Sequence, residues 1–376
     1  MTHPPGPLST SQVLKAAFPG SDAASVECPI HIIPQGTEPR WILAGVPRNS
    51  VSVLRSWRPF NLGSRIKWGA VVGATSLGFL PRLPGVINAK VQLDLSYWRQ
   101  NLPGFRDDWT PVVHVGNASH TRKAIVFFVG SVGQIEAVVK VPLVDGASSA
   151  ILNEAEMLLH LRSAQYLPRV LFRDEERGIA AQSWLEGRPV SRELTSAHMH
   201  LLSLFAVPGG TTRVSDQRAA IAASLDQSDL PYDRALLARA MEFLDFDEVL
   251  PQFIEHRDFA PWNLKRLANG QTGALDWEWA IPNSLPCQDI FRFFYIQDAL
   301  FNGPGNVWQT VTGSPLLQAY YRRFSISSEA LQPLAMHYLL RVLCMDWLSG
   351  NTRLADYSFR QIGMLVKLRE STTKTY

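Results

Sequence analysis

The sequence predicts an α+β chain in which a small antiparallel sheet is followed by a mainly helical half. Two patterns carry this expectation. Runs at 110–115, 124–129 and 135–141 are short, β-prone and separated by turn signals, as in a meander. Runs at 315–324, 328–348 and 356–368 instead have helical spacing, with Trp, Tyr and Leu on their apolar faces. A chain of 376 residues, 46% of them hydrophobic, is long enough for two lobes and an accessory segment.

In chain order, Pro and Gly punctuate residues 1–36, and no signal peptide is evident there because the basic start and continuous apolar run are lacking. Residues 41–47 and 51–54 read as short strands. Arg48, Arg55, Trp57, Arg58, Arg65 and Lys67 then follow in close succession. A solvated face with Trp57 packed beneath it is preferred for this cluster over a site for an anionic substrate or a membrane surface. The apolar stretch 69–80 falls short of the roughly 20 residues that span a bilayer, so helix packing is preferred there over membrane-surface contact. In the meander, 130–133 (Gly-Ser-Val-Gly) reads as a hairpin turn. Lys140 lies inside the apolar run 137–142, where a charge needs a partner. The following segment, 151–161, has helical periodicity, and Glu154 shares a stripe with Ile151, Leu158 and Leu161. A carboxylate on that stripe points inward and would find Lys140; Glu156 is the competing choice, and an edge-strand lysine snorkelling to water is the bland one.

Composition excludes several classes. Cys28, Cys287 and Cys344 are widely spaced and odd in number, which argues against a disulfide framework or a Cys-rich zinc site and suits a reducing cytoplasm. A net charge of +3 with no long basic block gives nucleic-acid binding little support. No Gly-x-x-x-x-Gly-Lys-Ser/Thr, His-Glu-x-x-His or Gly-x-Ser-x-Gly motif occurs, so P-loop, zinc-protease and serine-hydrolase chemistries lack their signatures.

The candidate chemistry is concentrated in 254–280. Moving a phosphoryl group to a hydroxyl requires a carboxylate beside the hydroxyl and oxygen ligands that hold magnesium against the phosphates. His256-Arg257-Asp258, with Asn263 five positions after the Asp, matches a kinase catalytic loop: Asp258 as base, Asn263 as metal ligand. Asp276 ends the short run Ala274-Leu275 after the turn-forming 269–273 and supplies the second ligand. Magnesium accepts carboxylate, amide oxygen, phosphate and water, so one Asp and one Asn with several waters suffice.

With Asp276-Trp277-Glu278, the segment His256-Arg257-Asp258-Phe259-Ala260-Pro261-Trp262-Asn263 resembles the aminoglycoside phosphotransferase and choline kinase-like family, which shares the protein-kinase fold. Pro-Trp before the Asn and Trp-Glu after the second Asp favour that family over protein kinases, which carry Asp-Phe-Gly. Arg257 departs from it, since the family generally has Gly there. The resemblance implies a two-lobed protein-kinase-like fold, with an N-lobe at 101–181, a helical C-lobe at 182–376 and an extension of unknown role at 1–100. It further implies that Gly116, Asn117 and Ser119 belong to a phosphate-covering loop, that Lys140 faces the phosphates, and that Gln182, Ser183 and Trp184 border the adenine. His256 would scaffold the catalytic loop, and Asp289 would support it from beneath or, alternatively, face the dipole of its own helix. The implied activity is ATP- and Mg²⁺-dependent transfer to a hydroxyl of a small molecule. Aromatic content in the C-terminal helices suggests a sugar or glycan precursor, with choline and drug substrates open. The slight positive charge weighs against polycationic aminoglycosides. A non-catalytic nucleotide-binding scaffold and a protein kinase are the rival readings.

Overall fold

Neighbouring residues on three adjacent strands part company: Val112, Phe127 and Val138 join one hydrophobic cluster, while Val113, Phe128 and Val139 join another. This period of two means a sheet buried on both faces. The computed structural model describes residues 6–20, 25–57, 62–161, 165–301, 303 and 305–373, and divides the chain into two units, Met1–Leu185 and Glu186–Tyr376.

The first unit begins with α1 (Thr10–Ala17), opened by a Ser9–Gln12 capping box. It continues through β1 (Ser25–Gln35), β2 (Glu38–Ala44), α2 (Val51–Ser56), α3 (Leu62–Leu77), β3 (Ile87–Asp94), α4 (Ser96–Asn101), β4 (Thr110–Val115), β5 (Lys123–Val129), β6 (Ile135–Pro142), α5 (Asp145–His160), β7 (Val170–Asp174) and β8 (Ile179–Gln182). The strands form one sheet in the order β3-β1-β2-β4-β5-β6-β8-β7, antiparallel throughout. Val13 and Ala17 of α1 and Trp98 of α4 cover one face. Val53 and Leu54 of α2, with Trp68, Val71 and Val72 of α3, pack around Trp41 on the other. Between β5 and β6 the expected hairpin turn is present, with Gly133 at φ +86° and Gly130 N–H donating to Gln134 O at 2.9 Å.

Two features of the first hundred residues, the run 51–54 and the division at residue 100, differ from the sequence expectation. Residues 51–54 are helical rather than extended: Pro47 opens a 3-10 turn that runs straight into α2, and a short apolar run does not itself distinguish strand from helix. The stretch 69–80 belongs largely to α3, and among the described residues no helix is long and apolar enough to cross a membrane. The division drawn at residue 100 falls inside a continuous sheet, because β2 pairs with β4. Arg58 lies outside the described residues.

The second unit comprises β9 (Arg188–Pro189), α6 (Ser196–Ser203), β10 (Ala206–Thr212), α7 (Arg218–Gln227), α8 (Arg234–Met241), β11 (Leu250–Glu255), β12 (Leu264–Arg266), β13 (Thr272–Ala274), β14 (Ile281–Ser284), α9 (Gln288–Phe301), α10 (Val307–Gly313), α11 (Pro315–Arg323), α12 (Leu331–Leu348) and α13 (Thr352–Thr373). Two small sheets, β10-β11-β14 and β13-β12-β9, carry the loops of interest. Helix α12 is apolar nearly all round and is buried from Leu331 to Leu340 except at Gln332.

Candidate active site

In the first unit, Lys140 sits mid-strand in β6, between β5 and β8, and is 6% exposed. Its Nζ donates to Glu154 Oε2 at 2.5 Å, and Glu154 is 2% exposed on the inward stripe of α5. The neighbouring Glu156 is exposed on the opposite side of that helix. A cation and a carboxylate withdrawn together from water hold each other in one geometry, which fixes the ammonium in space.

Expected nucleotide-facing residues elsewhere in this unit are partly committed. Gly116 N–H donates to Lys123 O at 2.9 Å and closes the β4–β5 connection, and a Cβ at Gly116 would lie 3.0 Å from that carbonyl. Asn117 Oδ1 accepts from Arg40 Nη1 at 2.8 Å, and Ser119 O accepts from Arg122 N–H at 3.2 Å. Ser183 meets Arg169 through its amide and its hydroxyl, at 2.8 and 2.9 Å. The Ser183 hydroxyl only accepts from the Arg169 N–H, so its O–H and the carbonyl remain uncommitted among the described residues, between Gln182 at the end of β8 and Trp184, which packs edge-on to Phe127 at 6.2 Å.

In the second unit, the segment after β11 is held by a network around His256, which is fully buried. Asp289, in the first turn of α9, accepts from His256 N–H at 2.8 Å and from Arg257 N–H at 3.0 Å, so it supports the loop directly. Burial and the nearby Glu255 push the Asp289 carboxyl up to about 8, against the pull of those two N–H groups. The His256 ring is neutral with its proton on Nε2, since Nε2 reaches Leu275 O at 2.8 Å and Nδ1 accepts from Asp258 N–H at 3.3 Å. One imidazole therefore ties the loop bearing Asp258 to the residue preceding Asp276.

Hairpin register brings the two metal-ligand candidates together. Leu264 pairs with Ala274, and Leu275 N–H donates to Asn263 O at 2.8 Å, so Asn263 and Asp276 leave the same end of β12–β13. Asp276 takes φ +64°, a left-handed conformation that Asp tolerates better than most residues. Asn263 Nδ2 donates to Asp258 Oδ2 at 2.7 Å and to Asp258 O at 3.0 Å, which leaves its Oδ1 as the atom that could hold a metal. An amide oxygen beside a carboxylate fits a hard divalent cation that completes its shell with phosphate and water. Among the described residues no group of three or more His, Cys, Asp or Glu side chains could hold a metal.

Comparison with known families bears on this arrangement. The model of the phosphotransferase enzyme family (APH) matches residues 119–334, more than half of the chain. The chain belongs to the phosphotransferase enzyme family. Its fold is the protein-kinase-like one, with an antiparallel sheet in the N-terminal unit and helices in the C-terminal unit. The ternary complex of a thermostable mutant of aminoglycoside phosphotransferase APH(4)-Ia with AMP-PNP and hygromycin B superposes with TM-score 0.51 at 15% identity, covering 72% of this chain and 97% of that one. A second complex of that enzyme, with ADP and hygromycin B, gives 0.50 at 15% identity over the same shares. A choline kinase from Cryptosporidium parvum Iowa II is similar at TM-score 0.46 and 10% identity, covering 75% of this chain and 96% of that one. A search of curated proteins found no match.

Three neighbours of the expected site residues escape sequence reading in this phosphotransferase. Arg292, one turn beyond Asp289 on α9, donates to Asp258 Oδ1 through Nη2 at 2.7 Å and Nε at 3.3 Å. With two donors on Oδ1 and one on Oδ2, the carboxylate keeps a lone-pair position on Oδ2. Arg122 and Glu38 form the second case: the guanidinium is 2% exposed, makes two 2.9 Å bonds to Glu38, and also reaches Gly116 O at 3.1 Å. Arg40 of β2 is the third, through Val115 O at 2.7 Å and Asn117. The i+3 spacing of Asp289 and Arg292 on one helix face was the available signal for the first. For the others no local signal exists, since Glu38 and Arg122 meet across 84 positions of sequence.

Proposed function

We propose that this phosphotransferase moves the γ-phosphoryl group of ATP to a hydroxyl of a small molecule, with magnesium as cofactor. The observation that carries the reading is the arrangement of Asp258, Asn263 and Asp276 on one buttressed loop and one hairpin, with a single position open on Asp258 Oδ2. In the reaction a bond forms between the acceptor oxygen and the γ-phosphorus, and the bond to the β–γ bridging oxygen breaks. The hydroxyl proton passes to Asp258 Oδ2. Asn263 Oδ1 and Asp276 are the residues that would hold magnesium, which supplies charge neutralisation for the phosphates when bound. Lys140, fixed by Glu154, would steady the α- and β-phosphates. Nucleotide complexes of the related aminoglycoside phosphotransferase support the choice of donor.

Arg292 pairs with Asp258, and this cation together with the slight positive net charge favours a neutral or anionic acceptor such as a sugar or glycan precursor over a polycation. Three free cysteines agree with a cytoplasmic location.

Calorimetric titration of Mg²⁺ and ATP into the wild type and Asp276→Ala tests the reading: magnesium-dependent binding is expected in the first and lost in the second. No binding by either would overturn it. Asp258→Asn should keep nucleotide affinity and lose transfer by at least about a hundredfold, the scale of a general base. Unchanged turnover would sink the base assignment.

A further inference from the structure

Beside the catalytic loop, but not including Asp258, Asn263 or Asp276, a cavity of about 300 Å³ opens between α7, β14 and α12 of the second unit. Arg257 and Arg341 line it together with the buried His337 and Ser284, while the exposed Gln227, Asn283 and Met345 stand at its mouth.

The two guanidinium groups are unequally provided for. Arg341 pairs with Glu255 through both terminal nitrogens, Nη1 to Oε2 at 3.0 Å and Nη2 to Oε1, and Ser284 Oγ donates to the same carboxylate at 2.6 Å. Glu255 thereby accepts three hydrogen bonds, none of them from Arg257. Asp289 takes the backbone N–H of Arg257, not its side chain. The Arg257 guanidinium is left with one contact, Nη2 to Met345 Sδ at 3.5 Å, and with no carboxylate. Both Nε–H groups, of Arg257 and of Arg341, are shielded from solvent without a hydrogen-bond partner. His337 does not add charge, because burial, with Arg341 and Arg257 beside it, pulls its ring down to about 3. Glu255 and Asp289 attract the Arg257 guanidinium from a distance, but neither makes an ion pair or hydrogen bond with it, and its burial without such a partner is costly. The backbone adds to this cost, since Arg257 is held at φ +66°, a conformation suited to glycine.

We propose that this cavity is a binding site for a phosphate-type anion, held by the Arg257 guanidinium with Arg341 as a second positive charge in the lining. Guanidinium groups offer paired donors that match tetrahedral oxyanions. The ion is either free phosphate or the phosphate of an organic monoester, and the site does not depend on the phosphotransfer reading.

The test is calorimetric titration of inorganic phosphate, and separately of glycerol 3-phosphate, into the full chain without nucleotide or metal. Saturable binding is expected, weakened at least tenfold in Arg257→Gly and in Met345→Glu. Glycine suits the left-handed backbone and so keeps the fold, which circular dichroism checks; a glutamate at 345 neutralises Arg257 from within. Tighter binding of glycerol 3-phosphate would identify the anionic end of a larger ligand, and tighter binding of phosphate the free ion; both uphold the site. Binding of neither probe overturns it. So does binding that survives Arg257→Gly but is lost in Lys140→Met, since the ion would then lie in the other unit.

Discussion

Two arginines, Arg257 on the loop after β11 and Arg292 on α9, meet opposite circumstances. Arg292 has a carboxylate to hold, and it fixes the orientation of Asp258 through two bonds to one oxygen. A lysine keeps the charge and loses the fork. Because sub-ångström misplacement of a reacting group costs rate more than binding, Arg292→Lys should lower turnover of ATP about ten- to a hundredfold while nucleotide affinity stays within about threefold. Steady-state kinetics set against calorimetric affinity separate the two; an equal loss in both would mean a structural role. Arg257 has no carboxylate and occupies a backbone conformation that costs a side-chain-bearing residue about 1–2 kcal/mol. Arg257→Gly should therefore raise the free energy of unfolding by about 1 kcal/mol, net of glycine's entropy. A urea midpoint below that of the wild type would contradict this. The sequence exposed Arg257 as a departure from the family because its neighbours are local. Arg292 stayed hidden because its partner lies 34 positions away.

At the scale of elements, β6 and α5 are joined by one buried ion pair whose members have separable roles. Removing a single partner leaves an uncompensated charge, and breaking a buried pair in this way costs about 3–5 kcal/mol. Replacing both with apolar residues of similar volume is often nearly neutral. Glu154→Leu should thus destabilise the first unit markedly, whereas the double variant Lys140→Met/Glu154→Leu recovers most of the stability and still fails to steady a nucleotide. Thermal melts alongside ATP titrations distinguish these outcomes; full nucleotide affinity in the double variant would remove Lys140 from the phosphate role. This pair was legible because each half obeys a local rule: a lysine in an apolar strand run, and a glutamate in register with Ile151 and Leu158 on α5. The meander β4–β6 was legible for the same reason, as its hydrophobic alternation and turns lie within about thirty residues. The sheet's other half was not. β1 pairs with β3 at separations near sixty, Ile30 with Ala89 for example, and no periodicity within either strand announces the other. Residues 51–54 misled because a run of four with three apolar positions satisfies a strand and a helix equally.

Across the whole molecule, burial of titratable groups sets how stability responds to pH. His114 and His337 are drawn down to about 3 and His198 to about 4, chiefly by burial, so all three rings are neutral in the folded chain. Unfolded, they bind protons below about 6.5. Between about 6.5 and 4 the unfolded chain holds more protons at these sites, and stability falls as pH falls, each histidine contributing up to about 1.4 kcal/mol per pH unit. Two buried carboxyls act with the opposite sign. Burial raises Asp346 to about 6, and burial with Glu255 raises Asp289 to about 8. Each stays protonated in the folded state above its unfolded value, so its stabilising contribution declines as pH rises from about 4 to those values. In the acid window three histidines outweigh two carboxyls; above about 6.5 only Asp289 still titrates among these five. Stability should therefore peak near pH 6.5, falling on the acid side and, more gently, toward pH 8. Urea midpoints at pH 5, 6.5 and 8 check this, and a midpoint that keeps rising to pH 8 would refute it. His114→Phe sharpens the test, because neither ring nitrogen has a partner among the described residues and Trp41 and Trp57 stack at 4.5 and 4.3 Å. The phenyl ring keeps those contacts without a buried unpaired polar group, so the variant should gain about 1 kcal/mol at pH 6.5 and more at pH 5.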